Sequence, residues 1–393
     1  MPKLVLNFIC KNESHCILNM LKSNLPIVDM IVAGDTGSTD GTQEVIRKFG
    51  EENNIPTFVF ERPFDNFENS RNFALEMARQ SVDKIGWTKS DTWTYWCDCD
   101  ETIIVDPKFN KNQVNKDLFM INTYLGKMKY TRNTFARTSI DFRWYGPVHE
   151  FIVPPDQNIT SGLLDGVTVD VKMIGHSWQG NIADKYKKHA ALLEDYIDNK
   201  DRNPRWIFYT AQSYHDSASL PDNRAENEER LRRSIKYYKE RVSRTDGYEE
   251  ERFYSQYRLG TIMRVMELPW AETHNELLKA CAMDPMRGEP LKVIIDYYLL
   301  IGEANLAYIY TKFCKVNFHN KNPYPQRYLF VDEPLYAWKF LEAHAAACFY
   351  SNRKDEALAN YNELREVLKL KPHLFEEHEK NKILSNEEHF NRK

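Results

Sequence analysis

Residues 30–42 read Met-Ile-Val-Ala-Gly-Asp-Thr-Gly-Ser-Thr-Asp-Gly-Thr, an apolar run that passes into a turn rich in glycine and small polar residues. A short apolar run bounded by turn residues is typical of a strand that is buried on both faces. Asp35 therefore lies at the carboxyl end of a predicted strand, where open α/β sheets bind their ligands. The glycine spacing matches neither a Walker loop nor a dinucleotide-binding fingerprint, which argues against a kinase-like enzyme or a dehydrogenase. The turn by itself is explained equally well by the residues that turns favour.

Strand-like and helix-like segments alternate on both sides of this turn, over about the first 120 residues. Short apolar runs predict buried strands at residues 4–9, 30–33, 57–60, 94–97 and 118–121. Amphipathic spacing predicts helices at residues 13–23, 42–52 and 69–80. The segment Asp40-Gly-Thr-Gln43 is a candidate capping box for the second of these helices. The alternation predicts an α/β domain in which helices cover a sheet.

The pattern changes at residue 184, after which long amphipathic segments replace the strand signals. The spacing typical of one buried helix face is found at Leu231, Ile235, Tyr238 and Val242. Residues that fall where tetratricopeptide units place their packing side chains are Leu341, Ala345, Cys348, Ala357, Tyr361 and Leu364. Stacked helix pairs of this kind form solenoids. We therefore predict an α/β domain at residues 1–183 and an all-α, solenoid-like domain at residues 184–393.

The composition excludes several classes of protein. A hydrophobic fraction of 42% and a charged fraction of 28% over 393 residues suit a folded globular protein and argue against disorder. The net charge of -4 excludes a protein coated in positive charge for nonspecific nucleic-acid binding. Seven scattered cysteines predict no disulfide framework. The apolar run at residues 4–9 is too short for a signal peptide or a membrane span, so we expect a cytoplasmic protein.

An arginine lies near the start of the third predicted helix, in the segment Ser70-Arg71-Asn72. A guanidinium at that position could stack on a base or clamp a phosphate. The alternative is a surface arginine on a solvated helix face, and Arg71 taken alone favours that alternative.

Two carboxylates follow the predicted strand at residues 94–97, in the segment Asp98-Cys-Asp100-Glu101. Their mutual repulsion would be relieved by a hard divalent cation, Mg²⁺ or Mn²⁺, bound through oxygen. Such an ion could bridge the two phosphates of a nucleoside diphosphate. The alternative is an acidic turn without a ligand.

Taken in order, these segments resemble those of the GT-A nucleotide-sugar glycosyltransferases, specifically the large family 2. The resemblance begins with Asn-Phe-Ile-Cys-Lys-Asn-Glu at residues 7–13 and continues through the turn at 35–42. It then includes Ser-Arg-Asn-Phe-Ala at residues 70–74 and ends at the Asp-x-Asp segment, within a span of residues 3–180. The resemblance implies a GT-A fold, which is the Rossmann-like fold of nucleotide-diphospho-sugar transferases. Cys99 inside the Asp-x-Asp segment and a polar insertion at residues 82–92 depart from the family pattern.

The resemblance also implies roles for individual residues. Those that would bind the nucleotide-sugar are Asn12, Glu13, Asp35, Asp40, Arg71 and Asp98. Asp100 would be the principal ligand of Mn²⁺ or Mg²⁺, with Asp98 beside it. His176, in Ile174-Gly-His-Ser-Trp178, could be a third metal ligand or a diphosphate contact. A UDP-sugar is the donor used most often in the family.

Members of the family invert the anomeric centre, with a carboxylate base that deprotonates the acceptor hydroxyl. The resemblance makes Glu150 the candidate base, in the segment Trp144-Tyr-Gly-Pro-Val-His149-Glu150. Asp141 is a rival without a comparable motif around it. His149 could orient the base or the acceptor, and a buried structural histidine is the alternative.

Three acceptor classes stay open. A protein or peptide would suit a solenoid groove, and a growing glycan would suit the family at large. A modified DNA base, as in bacteriophage genomes, would suit the segment at residues 224–244, where eight Lys or Arg face four Glu. Aromatic residues near that segment are Trp206, Phe208, Tyr209, Tyr214, Phe253, Tyr254 and Tyr257. The alternatives for these features are a solvated helix face with internal ion pairs and a helix core.

We therefore predict a divalent-metal-dependent, inverting glycosyltransferase. One rival is a tetratricopeptide-like scaffold that binds peptides and carries an inactive α/β half. The other is a nucleotidyltransferase, although Cys10-Lys-Asn-Glu13 does not provide the Gly-rich loop that such enzymes usually place after the first strand. The oligomeric state is not indicated by the sequence.

Overall fold

The computed structural model describes residues 1–126, 128–155, 158–218, 224–321, 323, 329–387 and 390 of the 393-residue chain. By its internal packing the chain divides into two compact units, unit 1 at Met1–Arg202 and unit 2 at Asn203–Lys393. We predicted the boundary after residue 183, inside the first turn of the helix at Ile182–Asn199, whereas the division by packing falls after that helix.

Unit 1 is built on a mixed sheet. Its strands are β1 (Lys3–Cys10), β2 (Met30–Asp35), β3 (Thr57–Glu61), β4 (Thr92–Tyr95), β5 (Glu101–Val105), β6 (Leu118–Leu125), β7 (Met128–Arg137) and β10 (Ser161–Val171). A separate hairpin pairs β8 (Arg143–Tyr145) with β9 (Phe151–Val153). The order in the sheet is β3-β2-β1-β4-β7-β6-β10-β5. The first four strands of that order are parallel, and β7 runs antiparallel to both of its neighbours.

Helices cover both faces of the parallel half of the sheet. They are α1 (Ile17–Asn24), α2 (Thr42–Glu52) and α3 (Phe67–Ile85), and α4 (Ile182–Asn199) follows the last strand of the unit. Alternate residues of β1 divide between the two faces, since Leu4 and Leu6 pack with α1 and α2 whereas Val5 packs with α3. The parallel register pairs Cys10 of β1 with Asp35 of β2. The carboxyl ends of these strands therefore meet at one edge of the sheet, which is the edge predicted to bind the ligand.

Two local predictions in this region are wrong. The first helix begins at Ile17 rather than at residue 13. The predicted capping box of α2 does not form, because the residue before the helix is Gly41 in the left-handed conformation with φ of 88°. Asp40 instead accepts hydrogen bonds from the backbone and the hydroxyl of Thr42, at 3.1 and 2.5 Å.

The regular secondary structure of unit 2 is helical in its described residues. Its helices are α5 (Pro204–Ser217), α6 (Arg224–Ser243), α7 (Glu249–Val265), α8 (Trp270–Met283), α9 (Glu289–Leu300), α10 (Ala304–Asn317), α11 (Phe340–Tyr350), α12 (Lys354–Leu370) and α13 (Glu377–Ser385). Each helix from α5 to α11 packs on the next, and α5, α7, α9 and α11 also contact one another in sequence. This pattern is typical of stacked helical hairpins. The predicted architecture, an α/β domain followed by an all-α one, is confirmed.

The predicted packing residues of unit 2 can be compared with their burial. All six residues chosen from α11 and α12 are buried, with exposed fractions of 2% or less. On α6, Tyr238 is buried as predicted, whereas Leu231, Ile235 and Val242 are only partly buried. Ser234, Tyr237 and Arg241 are buried as well. All seven cysteines are free thiols. Across the described ranges, every helix is either too short or too polar to pass through a bilayer.

Candidate active site

The β8–β9 hairpin presents the segment that contains the candidate base. Its loop, residues 146–150, ends in His149-Glu150, and Gly146 and His149 both have positive φ, at 114° and 54°. Side chains of helix α3 hold this hairpin through hydrogen bonds. The side chain of Asn72 donates to Trp144 O at 2.9 Å and accepts from Trp144 N at 2.8 Å. Glu68 accepts from the backbone N–H of Gly146 at 2.9 Å. The Ser-Arg-Asn segment therefore fixes the position of the candidate base.

Arg71 links the hairpin to the Asp-x-Asp segment. Its Nη2 donates to Asp98 Oδ1 at 3.0 Å, and its Nε donates to Glu150. Trp144 lies under the guanidinium, with the ring centre 4.9 Å from Cζ. The side chains of Arg71 and Glu150 are only 11% and 10% exposed. Burial lowers the pKa of Arg71, but the two carboxylates outweigh it and hold that pKa above its usual value. The three predicted residues are thus brought into one charge-assisted cluster.

Asp98 is a compensated carboxylate. Burial would raise the pKa of Asp98, but the charges of Arg71 and Arg132 hold it below its usual value. Arg132, on β7, donates to Glu101 Oε1 at 2.7 Å, and Glu101 Oε2 accepts from the backbone N–H of Asp98 at 2.9 Å. Sequence reasoning missed Arg132, because it follows Glu101 by thirty-one residues and reaches it through the sheet.

The surroundings of Asp100 have the opposite effect on its pKa. Burial and the charges of Asp98 and Glu13 raise its pKa, although the backbone N–H of Gly175 donates to Oδ2 at 3.3 Å. Among the described residues, no cation forms an ion pair with Asp100. An excess of negative charge carried by carboxylate oxygens is the arrangement that a hard divalent cation relieves. The residues present therefore fit Mn²⁺ or Mg²⁺, with Asp100 as the carboxylate free to hold it.

The segment at residues 172–180 closes over this acidic edge. Glu13 accepts from the backbone N–H of His176 at 3.0 Å, and His15 Nε2 lies 2.8 Å from Ile174 O. A side chain at Gly175 would place its Cβ 3.1 Å from Asp100, so the glycine permits this approach. The imidazole of His176 is exposed. In the described part of the chain, Asp98, Asp100 and His176 do not form a close triad of possible ligand atoms, whereas Glu13, His15 and Cys16 do.

The predicted nucleotide-binding turn is organised by its own hydrogen bonds. Asp35 is fully buried, and its Oδ1 accepts from the backbone N–H groups of Gly37 and Ser38 at 2.9 and 2.8 Å. Asn12 Oδ1 accepts from Thr39 N at 2.8 Å. Asp40 Oδ2 accepts from Ser14 N at 3.0 Å. This bond and those from Thr42 lower the pKa of Asp40. The turn residues therefore tie two loops together at the edge of the sheet, as the turn-chemistry alternative describes.

The rival base, Asp141, pairs with other residues. It forms ion pairs with Arg79 at 3.2 Å and with Arg143 at 2.9 Å, and its side chain is 60% exposed. The cluster of Arg71, Asp98 and Glu150 does not include it.

The basic and aromatic segment of unit 2 is mostly accounted for by helix packing. On α6, Arg230, Arg232 and Arg233 pair with glutamates four residues earlier. Rings that are at most 9% exposed are Trp206, Phe208, Tyr209, Tyr214 and Phe253. These rings are part of the helical core, and the arginines form the solvated, ion-paired face that we gave as the alternative.

Known proteins resemble the chain as follows. No protein-family model matches it. Over 250 residues it is 25% identical to the SPbeta prophage-derived glycosyltransferase SunS of Bacillus subtilis (strain 168), and equally to glycosyltransferase SunS of Bacillus phage SPbeta. The match covers 61% of this chain and 54% of each relative, so the chain spans about half the length of the curated relatives it matches. The chain is therefore related in sequence to glycosyltransferases.

Solved structures were also compared with the chain. The crystal structure of S. aureus TarS 1-349 in complex with UDP aligns with 72% of this chain and 92% of its own, at 12% identity and a TM-score of 0.36. The TarS 1-349 structure described without UDP aligns over 72% and 88%, at 14% identity and a TM-score of 0.33. Scores at this level carry no conclusion about ligands.

Proposed function

We propose that the protein is a glycosyltransferase that moves a sugar from a nucleoside-diphosphate donor to a hydroxyl of its acceptor. The observation that carries the proposal is the cluster in which Arg71 bridges Asp98 and Glu150 beside the uncompensated Asp100. This cluster lies at the carboxyl edge of the parallel strands, where α/β sheets bind ligands. The sequence relationship to glycosyltransferases supports the same activity.

The two aspartates of the Asp-x-Asp segment have different roles in the proposed donor site. Asp100 would hold Mn²⁺ or Mg²⁺, which when bound supplies positive charge to the departing diphosphate. Asp98, held in turn by Glu101, keeps Arg71 at the site through the Nη2 of its guanidinium. A donor diphosphate that enters here competes with Glu150 for the guanidinium of Arg71, because arginine binds phosphate as well as carboxylate.

This competition gives Glu150 a proposed role that depends on the donor. While it is paired with Arg71, its carboxylate accepts from the guanidinium. When Arg71 turns toward the diphosphate, Glu150 is released at the position where an acceptor hydroxyl would attack. The acceptor oxygen then forms a bond to the anomeric carbon as the bond from that carbon to the diphosphate oxygen breaks. The hydroxyl proton passes to Glu150, and the single displacement inverts the anomeric centre.

We propose unit 2 as the part that selects the acceptor, a protein or peptide, or a glycan. The hypothesis that the acceptor is a modified DNA base depended on unpaired arginines and on exposed rings that could stack on bases. The pairing of three α6 arginines and the burial of the nearby rings remove most of that support. The scaffold and nucleotidyltransferase alternatives explain neither the Arg71–Glu150 pairing nor the relationship to glycosyltransferases.

The direct test is release of nucleoside diphosphate from a panel of nucleotide-sugars that includes UDP-, GDP- and dTDP-sugars. Slow hydrolysis of one donor without an acceptor is expected in Mn²⁺ or Mg²⁺, with loss of that release in EDTA. The matched control is Asp141→Asn, which removes a carboxylate outside the cluster and should keep the release. No release from any donor, with or without candidate acceptors, would favour the scaffold alternative.

A further inference from the structure

Helix α4 places two ionisable side chains beside the candidate site. Lys185 and His189 are one turn apart on the same side of the helix. The ring of His189 packs edge-on against that of His149, with 6.1 Å between centroids. Nδ1 of His189 is buried and has no hydrogen-bond partner among the described residues. This face of α4 therefore lies against the hairpin loop that contains Glu150.

Lys185 lies at the other end of that face, toward Asp100. Its Nζ is 3.5 Å from the ring centre of Trp178, in the segment that closes over the acidic edge. Gly175 of the same segment donates to Asp100. Burial lowers the pKa of Lys185, and the charge of Asp100 partly offsets this effect. Burial and the charge of Lys185 also lower the pKa of His189 to about 4. Lys185 thus faces the site from the first turn of α4.

The charges around the site show what Lys185 is available to do. Arg71 is shared between Asp98 and Glu150, and Arg132 is bound to Glu101. In the described ranges, Lys185 forms no ion pair, and its ammonium lies 3.5 Å from the ring centre of Trp178 and 6.0 Å from that of Tyr186. A diphosphate would bring about two further negative charges to an edge that already holds Asp100 and Glu13. A half-buried ammonium without an ionic partner is suited to bind it.

We propose that Lys185 binds the diphosphate of the donor and of the departing nucleotide, with Trp178 holding its side chain in place. This assignment rests on the proposed function, since it names a residue for the same donor site. With this assignment, helix α4 contributes a cation to the donor site, in addition to the Asp-x-Asp segment and the Arg71 cluster. The ammonium would balance charge that appears on the diphosphate oxygen as the sugar leaves.

The test compares Lys185→Gln with Lys187→Gln in the full-length chain. Lys187 lies two residues further on, so it points to the far side of the helix, and it forms an ion pair with Asp184 at 3.1 Å. Calorimetric titration in Mn²⁺ would use UDP as the probe, with GDP and dTDP beside it, and the matching nucleosides as competitors. Lys185→Arg keeps the positive charge and serves as the conservative variant.

The proposal predicts that Lys185→Gln weakens the affinity for the nucleoside diphosphate by tenfold or more. The affinity for the nucleoside should change less than threefold, because it carries no phosphate. Lys187→Gln should bind as the wild type does, and Lys185→Arg should retain most of the affinity. Equal losses for diphosphate and nucleoside would overturn the proposal by indicating a structural role for Lys185.

The outcomes also separate this proposal from the function on which it rests. A wild-type protein that binds a nucleoside diphosphate together with an unaffected Lys185→Gln variant would overturn the assignment of Lys185 and leave the proposed function standing. A wild-type protein that binds none of the three diphosphates would overturn both. Should Lys185→Gln fail to fold, the Lys185→Arg and Lys185→Met variants, checked by circular dichroism, decide the question in the same titration.

Discussion

The two aspartates of the Asp-x-Asp segment are two residues apart and have opposite surroundings. Asp98 is held by Arg71 at 3.0 Å, and two arginines keep its pKa below the usual value. Asp100 has a backbone N–H at 3.3 Å, and burial together with neighbouring carboxylates keeps its pKa above the usual value. We infer from this difference that Asp98 belongs to the framework of the site, and we propose that Asp100 is the aspartate that holds a ligand. Four predictions test this contrast.

The largest effect is expected for the uncompensated aspartate. Asp100→Asn should reduce metal-dependent turnover of the donor by about a thousandfold or more, because removing a group that stabilises developing charge has effects of this order. The same variant should unfold at a higher temperature than the wild type in EDTA, since a carboxylate with unfavourable surroundings is lost. Turnover assays and thermal unfolding of one preparation measure both. Unchanged turnover would show that Asp100 holds no catalytic metal.

The next effect concerns the candidate base. Glu150→Gln should lower the rate of transfer to the acceptor by about 10² to 10⁴-fold, as expected when a general base is lost. The neutral amide competes less strongly for Arg71 than the carboxylate does, so the affinity for the nucleoside diphosphate should be retained or should rise. Single-turnover kinetics and calorimetric titration separate the two quantities. A loss of less than tenfold would leave Glu150 as a residue that positions Arg71.

The third effect is on stability. Arg71→Met leaves Asp98 and Glu150 without their shared cation, and breaking a buried pair in this way costs about 3 kcal/mol or more. Because Asp98 is 35% exposed, we expect about 2 kcal/mol in the free energy of unfolding measured with urea. Arg62→Met is the control, since Arg62 forms an exposed ion pair with Asp65 at 3.1 Å. Equal losses in the two variants would contradict the central place given to Arg71.

The smallest effect is the dependence of these stabilities on pH. Folding lowers the pKa of Asp98, so its stabilising contribution is present above its usual pKa of about 3.9 and is lost as the pH falls through its lower value in the folded state. Folding raises the pKa of Asp100, so its destabilising contribution is full above its raised pKa and disappears as the pH falls. In EDTA, the gain caused by Asp100→Asn should therefore shrink between pH 7 and pH 4, whereas the loss caused by Asp98→Asn should persist down to about pH 4 and shrink only below it. Urea unfolding at several pH values measures this, and a gain for Asp100→Asn that grows in acid would reverse the assignment.

The fold and part of the site could be predicted from local patterns. The apolar run before Asp35 and the helix at Thr42–Glu52 follow directly from the periodicity of hydrophobic residues. Motif order also singled out Arg71, Asp98 and Glu150, which the structure brings together from segments far apart in the chain. These inferences succeed because each depends on a short segment or on the order of several.

What the sequence did not reveal depends on contacts between distant segments. Arg132 reaches Glu101 only because β7 crosses the sheet beside β4. The helical pattern that begins near residue 184 predicts the start of the second domain, so it does not connect Lys185 with the site. In the structure, α4 belongs to unit 1. Asp40 was interpreted as part of a helix cap, whereas the chain turns once more at Gly41 before the helix begins. Periodicity identifies a helix or a strand but not the residues that meet across it.

The central claim is that this edge of unit 1 binds a nucleoside diphosphate with the help of a divalent cation. Thermal unfolding of the full-length protein against UDP, GDP, dTDP and their sugars, in Mn²⁺ and in EDTA, tests it most directly. We expect one nucleotide to raise the melting temperature in Mn²⁺. This rise should disappear in EDTA and in the Asp100→Asn variant. No rise with any nucleotide, or the same rise in EDTA, would contradict it.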